Sequence, residues 1–101
     1  MTPPERIASI LNVNDDAATR YVMTNILRRG GYQVLEAACG EDALRLVASD
    51  RPDLVLLDIK LPDISGLEVC RRIKADPVLC ATIVVQTSAT FASAERKVEG
   101  L

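Results

Sequence analysis

Four strand-length runs punctuate the chain, and after each one comes a stretch whose apolar residues recur at helical spacing. Residues 7–13 are apolar with a β-branched bias and stop at Asn14-Asp15-Asp16, as a buried strand would if it delivered carboxylates at its C-terminal end. Val22, Met23, Ile26 and Leu27 then repeat at intervals of three and four up to Gly30-Gly31, the pattern of a helix with a buried stripe. Residues 32–36 predict a second strand. Gly40-Glu41-Asp42 opens a helix with an apolar face of Ala43, Leu44, Val47 and Ala48, broken by Arg51-Pro52-Asp53.

The second half repeats the scheme. Leu54-Val55-Leu56-Leu57 is a continuous apolar run, expected where helices cover a strand on both faces, and it ends on Asp58. Residues 59–66 form a loop with Pro62, Asp63 and Gly66 as turn residues. Leu67, Cys70 and Ile73 mark the stripe of a third helix, closed by Asp76-Pro77. Residues 82–87 predict a fourth strand, with Ile83-Val84-Val85 apolar on both faces and Ser88-Ala89 just past its end; a fourth helix is expected from near Phe91. Such alternation predicts a doubly wound α/β fold, a parallel sheet with right-handed crossovers, in which function collects at the C-terminal strand ends. Those ends carry Asn14, Asp15, Asp16, Asp58 and Ser88.

With 101 residues, the chain has room for one core and not for two. Twelve Lys and Arg stand against 14 Asp and Glu, so no global basic field draws it to nucleic acid. Histidine is absent, which removes His-based triads and the commonest metal ligand. Cys39, Cys70 and Cys80 form no Cys-x-x-Cys pair and read as reduced packing residues. No signal-peptide core and no apolar run of about 18 residues occurs, so neither secretion nor a membrane span is expected and the cytoplasm is the default compartment.

Acid-base or metal chemistry therefore falls to carboxylates. Asp15, Asp16 and Asp58 gathered in one crevice would repel one another, and a cation would keep them ionised. All-oxygen ligation favours Mg²⁺. A carboxylate beside that ion can attack phosphorus, and the Ser88 hydroxyl can donate to the transferred group. The plainer reading of Asp15 and Asp16 is helix capping, which weighs less on Asp58 because no helix opens directly after it.

The segments 10–16, 52–68 and 85–89 strongly resemble the receiver domain of two-component response regulators, above all in the apolar strand ending at Asp58 and the following Leu61-Pro62-Asp63-Ile64-Ser65-Gly66-Leu67-Glu68. The resemblance implies a flavodoxin-like sheet of order 2-1-3-4-5, with residues 1–6 an N-terminal extension and 7–101 a receiver domain lacking its fifth strand. It implies that Asp58 is the phosphoacceptor, charged by a histidine kinase, a phosphotransfer protein or a small phosphodonor. Asp15 and the Lys60 backbone carbonyl would join Asp58 as Mg²⁺ ligands, and Ser88 would be the switch hydroxyl. Such a domain promotes its own aspartyl phosphorylation and dephosphorylation and is not otherwise an enzyme.

Two departures from the family pattern stand out. Asn14 occupies the place of the usual first acid, so its metal contact is expected to be weak or through water, and Asp16 is expected to cap the first helix rather than replace that acid. The chain also stops before the family's fifth-strand Lys and aromatic switch residue, and none of Lys60, Lys74 or Lys97 takes that Lys role. A longer protein with an attached kinase or output domain is therefore expected, and a bare fourth-strand edge that invites dimerisation or domain swapping. The alternative is a pseudo-receiver, an interaction module that switches without phosphorylation, favoured by Asn14. An aspartate-nucleophile phosphatase would need an acid where Lys60 stands.

Overall fold

The computed structural model describes residues 7–87. Seven elements alternate along them: β1 (Ser9–Val13), α1 (Ala17–Arg29), β2 (Gln33–Ala37), α2 (Gly40–Asp50), β3 (Leu54–Asp58), α3 (Gly66–Ala75) and β4 (Ile83–Thr87). The strands form one parallel sheet in the order β2-β1-β3-β4, the first four places of the expected arrangement. The fourth helix, with Phe91 and Lys97, lies outside the described residues.

Pairing register divides the side chains between two faces. Leu35, Leu11, Val55 and Val84 form one row across the sheet, and Ala37, Val13, Leu57 and Gln86 another on the same face. Leu11, Val13, Val55 and Leu57 are buried there against Ala43 and Val47 of α2 and Val69 and Ile73 of α3. At about 25 cal/mol per Å² of apolar area removed from water, this cluster is the main source of stability.

The opposite face is different. Its rows run Val34-Ile10-Leu54-Ile83 and Glu36-Asn12-Leu56-Val85, and α1 packs over β1 and β2. Ile83 and Val85 remain 57% and 42% exposed, so β4 is not covered on both faces as its composition predicts. Strand side chains alternate, and among the described residues only α1 lies on this side.

Two helical stripes also turn differently from expectation. In α1, Val22 and Ile26 are more than half exposed while Thr24 is buried, because this helix meets a polar patch of the sheet rather than the core. In α3, Leu67 is exposed and Gly66, Val69 and Ile73 face inward. Boundaries shift slightly as well. The first strand starts at Ser9 rather than residue 7, where pairing with Gln33 begins, and the second extends to Ala37, which pairs with Val13. At the end of α1, Gly31 takes φ 94°, a left-handed conformation that favours glycine.

Candidate functional site

The C-terminal ends of β1, β3 and β4 open onto a cavity of about 480 Å³ bordered by Asn14, Asp15, Asp16, Asp58, Thr87 and an apolar floor that includes Met23 and Leu56. Asp58 is the last residue of β3, opposite Thr87 of β4, and only 1% exposed. Its Oδ1 accepts the Lys60 backbone N–H at 3.4 Å, a long contact for a buried carboxylate. Among the described residues no Lys or Arg forms an ion pair with it. A carboxylate withdrawn from water without a cationic partner is costly, so this site suits an incoming cation.

The backbone behind Asp58 is tightly held. The Gly66 N–H donates to the Ile59 carbonyl at 2.7 Å, and the Ile59 N–H donates to the Thr87 carbonyl at 2.9 Å. A Cβ on Gly66 would strike the Asp58 carbonyl oxygen, so only glycine lets α3 start this close to β3. Asp63, in the same loop, reaches across to accept the N–H groups of Gly40 and Glu41, both at 2.8 Å. It thereby caps α2. Desolvation pushes its pKa up, but these N–H donors outweigh that and hold it down at about 2.

The β1–α1 turn distributes its three polar residues unequally. Asp16 caps α1, its Oδ2 accepting the Thr19 N–H at 2.9 Å and the Thr19 hydroxyl as well. The Thr19 bonds, side chain and then backbone, lower its pKa, with Arg20 adding to the effect. Asn14 turns its Oδ1 to the Asp16 N–H at 2.8 Å. Asp15 remains exposed beside the cavity. All three carboxylates border the cavity, but Asp16 is spent on capping α1, which leaves Asp15 and Asp58, and no cluster of three or more His, Cys, Asp or Glu suited to a metal occurs among the described residues. Two carboxylates with carbonyl, amide and water oxygens still suit Mg²⁺, which keeps several of its waters. Ser88 lies outside the described residues.

Sequence reasoning missed Asn12, Arg20, Thr24 and Glu36, which form a polar network beneath the turn. The available signal was Asn12, an amide interrupting an apolar strand. On α3, Arg71 and Arg72 both bind Glu68, and these bonds, Arg71 first, bring its pKa down to about 2. Cys39 and Cys70 are half-buried and Cys80 is exposed, all three free.

A parallel sheet of this order with an aspartate buried at the end of its third strand is a flavodoxin-like receiver fold, and comparison with known proteins identifies its family. The family model described as the response regulator receiver domain matches residues 10–100, and the chain belongs to that family. It is 50% identical over 66 residues to transcriptional regulatory protein AfsQ1 of Streptomyces coelicolor, covering 65% of this chain and 29% of that one. It is 43% identical over 65 residues to sporulation initiation phosphotransferase F of Bacillus subtilis, covering 64% and 52%. The chain therefore spans about half or less of the length of these relatives. The crystal structure of a putative response regulator from Chloroflexus aurantiacus superposes with a TM-score of 0.78 at 31% identity, over 80% of this chain and 66% of that one. Among the described residues no helix is long and apolar enough to cross a membrane.

Proposed function

We propose that this receiver accepts a phosphoryl group on Asp58 from a histidine kinase or phosphotransfer protein. The supporting observation is the Asp58 carboxylate itself, 1% exposed, without a cationic partner among the described residues, and bordering a cavity it shares with Asp15. A carboxylate oxygen attacks phosphorus in line with the phosphohistidine nitrogen; the P–N bond breaks, its electron pair stays on the imidazole, and an aspartyl phosphate forms. Bound Mg²⁺ would neutralise the phosphoryl oxygens. Asp15, Asp58 and the Lys60 carbonyl would hold it, with Asn14 contributing weakly or through water. Ser88 would donate its hydroxyl to the phosphoryl group and serve as the switch, and loss of the phosphoryl group by hydrolysis resets the domain.

A cytoplasmic location and a covalently attached kinase or output domain belong to the same reading, as does pairing of two copies through β4, which among the described residues is bonded to β3 alone. Direct binding to nucleic acid does not. The pseudo-receiver reading draws on Asn14, whose amide oxygen replaces a charge and is already turned to Asp16. Intact-mass measurement after incubation with Mg²⁺ and a small phosphodonor, or with a cognate kinase, separates the two. A phosphoryl mass gained by the chain and absent from Asp58→Ala is expected; no gain by the folded protein from either donor would refute phosphoacceptance.

A further inference from the structure

Asn12 of β1 and Glu36 of β2 are register partners on the sheet face under α1, and Thr24 of α1 lies between them. The buried Asn12 amide donates to the Thr24 hydroxyl oxygen and to the Arg20 backbone carbonyl, each at 3.1 Å. The Thr24 hydroxyl donates in turn to Glu36 Oε2 at 2.5 Å. Glu36 Oε1 stands 3.8 Å from Arg20 Nε, and Arg20 Nη1 donates to the Asn14 carbonyl at 2.7 Å. The network therefore runs from the middle of the sheet to the backbone of the acidic turn.

We infer that Arg20 is a positioning residue for the Asn14–Asp16 turn, held from β2 by Glu36, and that it sets the affinity of that turn for a divalent cation. The inference rests on the metal reading above. Asn14 is tied at three atoms: its N–H donates to the Ala37 carbonyl at 3.1 Å, its Oδ1 accepts from Asp16, and its carbonyl accepts from Arg20. The first two are local to the turn and the strand end. Among the described residues, only the Arg20 contact fixes the peptide plane that leads into Asp15, whose carboxylate borders the cavity. The guanidinium does so because its rigid fork reaches Glu36 through Nε and the carbonyl through Nη1 at once. Glu36 cannot swing toward solvent without giving up the Thr24 bond. With Asn14 in place of an acid, the cation's site has one charge fewer, so a preset pose of Asp15 carries more of the affinity.

The test is calorimetric titration of Mg²⁺ into the full chain and into its Arg20→Ala, Arg20→Lys and Glu36→Gln variants. Thermal midpoints and amide exchange at Asp15 and Asp16 without metal are measured in parallel. Arg20→Ala is expected to weaken Mg²⁺ roughly tenfold, the scale seen when a group orienting a metal ligand is lost, and to speed exchange at both amides. Arg20→Lys is expected to recover the midpoint and not the affinity, since one ammonium reaches the carbonyl or Glu36 and cannot fork to both. An Arg20→Ala/Glu36→Gln double variant should bind no more weakly than Arg20→Ala alone. Folded variants that bind Mg²⁺ as the parent does would overturn the positioning role while leaving the metal site intact. A parent chain that takes up no Mg²⁺ would refute the metal reading and the positioning role together. If Arg20→Ala does not fold, Arg20→Lys carries the same comparison.

Discussion

Gly66→Ala sets two physical effects against each other. Helix propensity favours alanine by up to about 1 kcal/mol in a helix interior and by less at the first position of α3. Packing opposes it: the added methyl would collide with the Asp58 carbonyl oxygen and come within 2.8 Å of Ile59 Cα. Both obstacles are backbone, one of them the carbonyl of the candidate phosphoacceptor, so no side chain can move aside. Overpacking of a rigid site costs up to about 3 kcal/mol, and subtracting the propensity gain leaves about 2 kcal/mol. At 4–8 °C per kcal/mol for a domain near this size, the thermal midpoint should fall by about 10 °C. Circular dichroism melts of the two proteins side by side supply the assay. An unchanged or raised midpoint would show that propensity decides this position and that α3 has room to retreat from β3.

Thr24→Val keeps the shape of a buried side chain but removes the oxygen that accepts from Asn12, leaving one amide N–H unsatisfied. A loss of about 1–3 kcal/mol is expected in urea titrations, and adding Asn12→Leu, which removes the donor as well, should cost little more than Thr24→Val alone; a double-variant loss equal to the sum of the two single losses would contradict this coupling. Asp63 is held at about 2 by its N–H donors, so its folded pKa lies below the ordinary carboxylate value of 3.8. The stability it contributes is present above pH 4 and is lost as pH falls toward 2. Acid titrations followed by circular dichroism should show a shallower loss over that window in Asp63→Asn, together with a lower stability at neutral pH; parallel curves would refute the linkage.

Alternation of strand-length and helix-length patterns, a parallel sheet and the delivery of Asp15 and Asp58 to one edge were legible from the chain alone, and the strand order came with the family resemblance. They depend on short-range rules: a run such as Leu54–Asp58, bounded by turn residues, has the length of a strand and not of a helix, and sequential β-α units have one favoured handedness. The capping role of Asp16 was legible for the same reason, since its partner Thr19 is three residues away. Which side of α1 faces inward was not. Val22 and Ile26 have the apolar spacing, yet the sheet presents Asn12 and Glu36 to that helix, so Thr24 turns in and the aliphatic pair stays exposed. Periodicity describes a helix without its neighbour, and here the neighbour is polar.

The split of labour between Asn14 and Asp15 was settled only in three dimensions. The two are adjacent in sequence, and nothing in that adjacency says that one binds the turn and the other is left to the cavity. Arg20 meets the Asn14 carbonyl only because α1 starts at Ala17 and crosses β1 and β2 at a particular height, and Glu36 stands opposite Asn12 only because the strands pair in this register. Residue types determined what the strand ends are made of. Packing between strands and helix determined which of those groups are spent on structure and which remain for chemistry.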